Sequence, residues 1–285
     1  MSNKKNISTD NIPKAIIYTS KLLQFLSTDL TVKFAKKLFT TPIKHKLPKR
    51  ELGMESNSVQ ELIMIPTINK KIMTYKYGNS DKKVILVHGW SGRGTQLVKI
   101  ADKLLELGYS TISFDAPAHG KSSSNTTLMT EFIASILELE KLYGPFDFII
   151  GHSLGGMSTL NAIKRGLKVK KAVIIGSGDS VNDILFDFVN RLELNNKIAI
   201  KMRESFENEY QMDMESFSAY VAAKDVKVPV LVVHDKDDED VPYSASENIH
   251  KHLDNSELLL TENLGHRKIL GDKEVINLVA DFISN

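Results

Sequence analysis

The chain has 285 residues, of which 42% are hydrophobic, and it contains no cysteine. This length and composition suffice for one large core, and the lack of cysteine excludes disulfides, thiolate metal sites and a cysteine nucleophile. The formal net charge of +2 is unevenly distributed. Residues 1–50 hold 11 basic and 2 acidic residues, which leaves 26 of the 37 basic and 33 of the 35 acidic residues for the rest of the chain. An acidic body argues against nucleic acid as a partner.

We expect neither a signal peptide nor a transmembrane segment. Lys4 and Lys5 resemble the basic start of a signal peptide, but the apolar run 15–18 that follows is interrupted by Thr19 and Lys21. No apolar run approaches the ~18 residues of a membrane span. The sequence therefore favours a cytoplasmic protein.

Residues 1–50 are predicted to form a basic N-terminal extension of two short amphipathic helices, over 11–27 and 29–40, and a linker. Pro42 would end the second helix. Two interpretations remain open: the apolar stripe of the extension packs on the main domain, which we favour, or it contacts a membrane surface or a protein partner. The stripe consists of apolar residues near helical spacing: Ile12, Ile16, Leu23, Leu26, Leu30, Phe34 and Leu38.

Residues 51–285 alternate between predicted strands and helices. Continuous apolar runs at 84–87, 172–175 and 230–233 are typical of strands buried on both faces. This alternation predicts an α/β fold in which a mostly parallel central sheet carries helices on both faces. Further strands are predicted at 58–65, 71–77, 111–114, 148–150 and 257–260, and helices at 97–105, 127–142, 157–163, 243–253 and 273–283.

One connection is far longer than the others. About fifty residues separate the strands at 172–175 and 230–233, against a usual loop of ~2–6 residues, and apolar residues recur at helical spacing over 181–192 and 198–210. We interpret residues 178–225 as a helical cap inserted over the strand ends. Its ten acidic and five basic residues weakly disfavour strongly anionic substrates. Four cap residues predict a mainly apolar substrate pocket: Phe186, Phe188, Met202 and Phe206.

The segment from Phe148 to Gly156 has the pattern of a nucleophile elbow. An apolar run is followed by Gly-x-Ser-x-Gly, with Ser153 at its centre, and then by a helical pattern. A sharp turn between strand and helix needs almost no side chain beside the serine, which Gly151 and Gly155 would provide. The pattern also occurs by chance, so the partners of the serine decide its meaning.

A serine hydroxyl is a weak nucleophile until a base takes its proton and an acid orients that base. His266 follows the last predicted strand and is the candidate base. Four aspartates follow the strand at 230–233, and those that are not the acid would form a solvated acidic loop or a cation site. The resulting chain order, Ser then Asp then His, accompanies nucleophile elbows. The candidate acids are Asp235, Asp237, Asp238 and Asp240.

Four ordered motifs resemble the α/β-hydrolase superfamily, over about residues 55–285. They are His88-Gly89-Trp90, the loop 115–122, the elbow 151–155 and His234-x-x-x-Asp238-x-x-Val241-Pro242. Two positions depart from the family pattern, because Ala118 and Asp235 stand where glycine is more usual. The resemblance implies the α/β-hydrolase fold and says little about the substrate.

The resemblance also implies a catalytic triad of Ser153, Asp238 and His266. The family spacing before Val241-Pro242 selects Asp238 among the four aspartates. Some members of the family place the acid after the preceding strand, which makes Asp179 the alternative.

An oxyanion hole is expected from the backbone N–H groups of Trp90 and Leu154. Leu154 opens the elbow helix, and Trp90 belongs to the loop motif that resembles the family's oxyanion loop. His88 would hold that loop by a hydrogen bond. The indole of Trp90 is expected either to wall the substrate pocket or to pack in the core.

Together these residues predict a serine hydrolase acting on a small-molecule ester or thioester with an apolar acyl part. The scheme needs no cofactor and no metal. The same residues are compatible with peptide, lactone or carbon–carbon cleavage, acyl transfer or perhydrolysis. A non-catalytic hydrolase scaffold is the alternative from another class, and loss of a triad residue would be its sign; none is lost.

Overall fold

The computed structural model describes residues 12–285; Lys4, Lys5 and the first residue of the helix predicted over 11–27 lie outside them. The described chain divides into two compact units. One unit, here called the helical unit, consists of residues 12–39 and 181–215, and the other, the sheet unit, of residues 40–180 and 216–285. Residues 12–39 of the N-terminal extension and 181–215 of the long insertion thus belong to the same compact unit, while the remaining described parts of both segments belong to the sheet unit.

Eight strands form one sheet in the sheet unit. Their spatial order is β1-β2-β4-β3-β5-β6-β7-β8. The pairs β1–β2 and β2–β4 are antiparallel, and every other neighbouring pair is parallel. The predicted mostly parallel sheet is confirmed. The strands are β1 Val59–Ile65, β2 Lys70–Tyr77, β3 Lys83–Val87, β4 Ser110–Asp115, β5 Phe148–His152, β6 Lys171–Ile175, β7 Val230–Asp235 and β8 Ser256–Thr261.

Twelve α-helices lie within residues 12–285, and those of the sheet unit connect its parallel strands. The helical unit contains α1 Lys14–Leu26, α2 Thr28–Phe39, α7 Val181–Arg191 and α8 Asn196–Tyr210. The sheet unit contains α3 Leu52–Asn57, α4 Val98–Glu106, α5 Met129–Tyr143, α6 Leu154–Lys164, α9 Ala219–Ala223, α10 Ser244–His252, α11 Gly265–Lys268 and α12 Lys273–Ser284. None of them is long and apolar enough to cross a membrane.

The central strands are apolar throughout because both of their faces are buried. In β3, β5, β6 and β7 nearly every residue is buried. Their side chains on one face join α4 and α12 in a single hydrophobic cluster. Helix α6 is buried over most of its surface as well. This rigid core fixes the carboxyl ends of the strands, where the candidate site lies.

In the helical unit the extension packs on the insertion. The ring of Phe39 lies 5.1 Å from that of Phe188 and 6.0 Å from that of Phe206, at steep interplanar angles. The ammonium of Lys36 lies 4.4 Å from the centre of the Phe206 ring and 2.7 Å from a carboxylate oxygen of Glu209. Edge-to-face ring pairs and a cation over a ring each stabilise such packing by about 1 kcal/mol.

The favoured expectation that the apolar stripe of the extension is covered is wrong for two of its residues. Leu26 and Leu30 are exposed, whereas Ile16, Leu23 and Phe34 are half-buried. Helix α1 carries apolar residues on more than one face, so the side that packs leaves another apolar side in solvent.

Candidate active site

The elbow at the end of β5 is a strained turn. Ser153 has φ 55° and ψ −122°, a backbone conformation that side chains other than glycine rarely adopt. A Cβ on Gly151 would lie 2.3 Å from the carbonyl oxygen of Gly155, and one on Gly155 would lie 2.3 Å from that of Val87. Neither position therefore has room for a side chain, as the two glycines of the sequence pattern predict. The turn holds the Ser153 side chain at the carboxyl edge of the sheet.

Two backbone N–H groups at this edge have no protein acceptor. Among residues 12–285, neither the amide of Leu154, the first residue of α6, nor that of Trp90 donates a hydrogen bond to the protein. Leu154 begins a helix, where the backbone dipoles favour a negative charge. These are the two amides that the sequence assigns to an oxyanion hole.

The loop that carries Trp90 is held on one side by His88. The Nδ1–H of His88 donates to the carbonyl of Gly89 at 2.7 Å, and its Nε2 accepts from the amide of Ala116 at 3.0 Å. This arrangement requires the neutral ring, because a protonated Nε2 could not accept. Burial lowers the pKa of His88 to about 4, which keeps the ring neutral near pH 7.

His119 holds the other side of Trp90 in the same way. Its Nδ1–H donates to the carbonyl of Pro117 at 3.0 Å, and its Nε2 accepts from the amide of Ser91 at 3.0 Å. Burial, aided by the nearby His88, lowers the pKa of His119 to about 3. The half-buried Trp90 ring meets the His119 ring edge to face, 5.5 Å between centres. Both residues flanking Trp90 are thus fixed by neutral histidines.

Asp115 ties this loop to the end of β4. Its carboxylate accepts from the amides of Gly94 and Lys121, both at 2.7 Å, and from the hydroxyl of Tyr75 at 3.0 Å. Burial and the Asp115 charge raise the pKa of Tyr75 well above its usual value, so the phenol remains a donor. The motif 115–122 therefore serves as a structural hub beside the site.

The candidate base and acid are in direct contact. His266 Nδ1 lies 2.7 Å from Asp238 Oδ2. Because a carboxylate only accepts, the ring proton lies on Nδ1, which leaves Nε2 with its lone pair. A base that takes a serine proton needs this tautomer.

Asp238 is held by donors on both oxygens. Oδ1 accepts from the amides of Asp240 and Val241, each at 2.9 Å, and Oδ2 lies 3.2 Å from Nε2 of the fully buried His234. Burial alone would raise the pKa of Asp238, but hydrogen bonds from His234 and His266 and from the loop amides hold it well below its usual value. The carboxyl is an anion throughout the neutral range.

The elbow and the His266–Asp238 pair are neighbours. The Ser153 amide donates to the carbonyl of Ile175 at 2.8 Å. At the next residue, Gly176, a Cβ would lie 3.3 Å from His266 Nδ1 and 3.5 Å from Asp238 Oδ2. Within residues 12–285 no hydrogen bond joins the Ser153 hydroxyl to the His266 ring. The serine, the base and the acid thus share one edge of the sheet without a complete chain of hydrogen bonds.

His152, inside the elbow, contacts the base from the other side. Its Nε2–H donates to the backbone carbonyl of His266 at 2.9 Å, and the two ring centres are 4.6 Å apart. Burial, and then the charge that His266 can carry, lower the pKa of His152 to about 3. A neutral His152 anchors the backbone of His266 without competing for its proton.

The alternative acid, Asp179, is engaged elsewhere. One of its carboxylate oxygens accepts from the side-chain amide of Asn248 at 2.6 Å. The structure therefore brings Asp238, and not Asp179, to His266.

Asp235 is not part of a solvated acidic loop. Its carboxylate is buried and accepts from the amides of Gly265 at 2.8 Å and Asp237 at 3.0 Å and from the hydroxyl of Thr261 at 2.7 Å. Gly265 precedes the base and Asp237 precedes the acid, so Asp235 joins the two loops. Burial would raise the pKa of Asp235, but these hydrogen bonds hold it below its usual value. In the sequence this position is marked only by an aspartate where the family pattern has glycine, which does not reveal that the carboxylate is buried.

The predicted pocket residues of the insertion lie in the helical unit. Met202 and Phe206 are buried there, and Phe186 and Phe188 are half-buried. The rings of Phe188 and Phe206 contact Phe39 of the extension, a packing partner that the sequence did not reveal.

Comparisons with known proteins agree with this architecture. A family model described as "Alpha/beta hydrolase family" matches residues 84–275. Among curated proteins, a 2-hydroxy-6-oxononadienedioate/2-hydroxy-6-oxononatrienedioate hydrolase of Escherichia coli strain K12 is 34% identical over 110 residues. That match covers 35% of this chain and only 38% of the length of the relative.

Solved structures are similar over most of the chain. An esterase of Pyrococcus furiosus has a TM-score of 0.65 at 19% identity, covering 86% of this chain and 97% of its own. A bromoperoxidase of Bacillus anthracis has a TM-score of 0.63 at 18% identity, with coverages of 80% and 100%. At these identities the likeness shows the fold alone.

Proposed function

Because the chain belongs to the alpha/beta hydrolase family, we propose that it is a serine hydrolase that cleaves a carboxylic ester or thioester. One observation carries the proposal: Ser153 occupies a strained elbow beside His266, whose Nδ1 donates to the buried carboxylate of Asp238. A nucleophile, a base in the correct tautomer and an orienting acid are the groups that acyl transfer requires.

In the proposed mechanism Ser153 Oγ attacks the carbonyl carbon while His266 Nε2 takes the hydroxyl proton. Asp238 stabilises the resulting imidazolium and keeps its orientation. His266 then gives the proton to the leaving group, which departs as an alcohol or a thiol and leaves an acyl-enzyme. Water, activated by the same histidine, releases the acid. Catalytic hydrogen bonds that are absent in a free enzyme commonly form when substrate binds.

The proposed oxyanion hole consists of the amides of Trp90 and Leu154. Both are without a protein acceptor in the described chain, and Trp90 lies between residues that His88 and His119 fix in place. Removal of one such donor typically costs a factor of about 10²–10³ in kcat. Preorganised amides are effective because they need not reorient as charge develops.

The substrate class rests on sequence composition. The apolar residues Phe186, Phe188, Met202 and Phe206 suggest a small molecule with an apolar acyl part. The pocket assignment, including a wall formed by the Trp90 indole, stays a prediction. The proposed steps use no cofactor.

A second candidate is the hydrolysis of a carbon–carbon bond beside a ketone. It is favoured by the partial match to the Escherichia coli hydrolase, whose name specifies 2-hydroxy-6-oxo dicarboxylates. Ten acidic and five basic residues over 178–225 make a dianionic substrate electrostatically unfavourable, so we rank ester cleavage first.

Labelling with a fluorophosphonate tests the proposal, since this probe modifies an activated serine. The wild-type protein should be labelled and should hydrolyse p-nitrophenyl esters. The control variant Ser56→Ala, at an exposed serine of α3, should behave like the wild type. Ser153→Ala should show neither labelling nor hydrolysis. A panel of acyl chain lengths, run beside a 2-hydroxy-6-oxo dicarboxylate, ranks the two candidates. Undiminished turnover by Ser153→Ala would refute both.

A further inference from the structure

Helix α1 presents a row of large apolar side chains to solvent. The exposed fractions are 87% for Phe25, 68% for Tyr18, 63% for Leu26, 59% for Leu22 and, at the start of α2, 53% for Leu30. Within α1 these positions are spaced by four, seven and eight residues from Tyr18, so they share one face of the helix. Here this row is called the exposed stripe. A contiguous apolar row of this kind on a surface marks an interaction site.

The opposite face of α1 is attached to its own unit. Ser20 is buried, Leu23 is half-buried, and Gln24 Oε1 accepts from the backbone amide of Asn195 at 2.7 Å. Lys21 also forms an ion pair with Glu193 of the insertion. The exposed stripe therefore belongs to a helix that is fixed from behind, and it is not the consequence of an unattached end.

The charges around the exposed stripe select its partner. Helix α1 contains two lysines and no acidic residue. Lys14 lies beside Phe25 on a helical projection, whereas the charge of Lys21 is paired with Glu193. Within the helical unit, residues 12–39 of the extension carry five basic residues and one acidic residue. A partner that combines negative charge at its surface with an apolar interior would complement this face. A second copy would instead bring two basic extensions together.

We propose that α1 docks the exposed stripe on the surface of an anionic lipid bilayer. Its 13 residues span about 20 Å at ~1.5 Å per residue, which suits a helix lying in the interface. Phe25, Leu22 and Leu26 would enter the acyl boundary, Tyr18 would lie at headgroup level, and Lys14 would meet lipid phosphates. The extension would thus hold the enzyme at a lipid surface.

Vesicle co-sedimentation of the full chain tests this inference. Vesicles of phosphatidylcholine mixed with phosphatidylglycerol should bind the wild type, and binding should weaken as salt is raised. The double variant Leu22→Ser/Phe25→Ser should bind roughly a hundredfold more weakly, because each lost side chain contributes about tenfold. The matched control Leu142→Ser/Leu278→Ser removes two leucines exposed on α5 and α12 and should bind like the wild type.

The charge contribution is measured separately. Lys33, three residues after Leu30 in α2, is also exposed. The variant Lys14→Gln/Lys33→Gln should lose much of the salt-sensitive binding, and vesicles of phosphatidylcholine alone should bind the wild type weakly. Equal binding to neutral and anionic vesicles would overturn the proposal. So would anionic-vesicle binding that Leu22→Ser/Phe25→Ser leaves unchanged.

Sedimentation velocity without lipid tests whether a second copy of the chain occupies the exposed stripe. A wild-type dimer that Leu22→Ser/Phe25→Ser converts to a monomer would assign the exposed stripe to a second copy and overturn the proposal. A species whose mass does not depend on these residues supports it. Ser153→Ala should bind vesicles like the wild type, so this inference can succeed or fail independently of the proposed hydrolase activity.

Discussion

Substitution of Asp235 should separate the integrity of the site from its chemistry. In Asp235→Ala, the amides of Gly265 and Asp237 and the hydroxyl of Thr261 lose a buried charged acceptor. A hydrogen bond to a charged group contributes about 1.5–3 kcal/mol, and such contributions are not additive. We expect a loss of about 3–5 kcal/mol in the free energy of unfolding, which corresponds to roughly 10 °C in Tm.

Catalysis should suffer as well, because Asp235 links the residue before the base to the residue before the acid. A displacement of about 1 Å between reacting groups can cost about a hundredfold. Asp235→Ala should therefore lower kcat for a p-nitrophenyl ester by about 10–100-fold with little change in KM. A residue that only stabilised the fold would leave the kcat of the folded fraction unchanged.

Two conservative variants test whether Asp235 acts through these hydrogen bonds. In Asp235→Asn the amide oxygen can still accept from both backbone N–H groups, and its NH₂ can donate to Thr261, so only the charge is lost. Stability and kcat should therefore fall clearly less than in Asp235→Ala. Thr261→Val removes only one of the three hydrogen bonds and should cost about 1–2 kcal/mol. If Asp235→Asn proved as harmful as Asp235→Ala, or if Asp235→Ala melted like the wild type, the link between the loops would not be the role of this carboxylate.

The pH dependence supplies an independent check. The folded-state pKa of Asp235 lies below its unfolded value of about 3.9. Its stabilisation is therefore complete above that pH and is lost as the pH falls through the folded value. The difference in Tm between the wild type and Asp235→Ala should be constant from pH 5 to 8 (roughly the range of maximal stability) and should shrink in more acidic buffer.

Two further predictions follow from the same contacts. Asp238→Asn should lower kcat by about 10⁴-fold, the loss seen when the acid of a serine-protease triad becomes an amide. Asp179→Asn should hydrolyse esters almost like the wild type. A severe loss of kcat in Asp179→Asn would instead make Asp179 the acid. Urea unfolding should show that the free energy of unfolding falls as the pH drops from about 6.5 toward 4. The folded-state pKa is about 4 for His88 and about 3 for His119 and His152, below the unfolded value of about 6.5. In this pH range the unfolded chain therefore binds protons that the native chain does not bind. Equal free energies of unfolding at pH 7 and in this acidic range would contradict the neutral rings.

The sheet could be predicted from the sequence because its strands are buried on both faces. The run Val84 to Val87 is continuously apolar, and its strand extends only one residue further, to Lys83. Short helices were not predicted: α3, α9 and α11 have four to six residues, too few for a helical period to show. Local patterns identify long buried elements and fail for single turns that tertiary contacts stabilise.

The candidate site was only partly accessible to sequence reasoning. The resemblance to the family's acid loop selected Asp238, and the Gly-His context after the last predicted strand selected His266; the structure places the two side chains 2.7 Å apart. Asp235 looked like one of several solvated carboxylates, because one of its donors, the amide of Gly265, is 30 residues away. Backbone donors carry no signature in the sequence, so a buried carboxylate that binds them cannot be told from an exposed one.

Helix α1 shows why a single amphipathic stripe was the wrong description of the extension. Analysis by helical spacing assumes one apolar face and one polar face. Ile16 and Leu23 lie on the half-buried side, whereas Tyr18, Leu22 and Phe25 belong to the exposed stripe on another side. A helix that is apolar on two sides needs two apolar neighbours. The described part of the chain supplies one of them, in the helical unit. Lys14, which lies beside the other apolar side, is the physical reason to look for its neighbour at an anionic lipid surface.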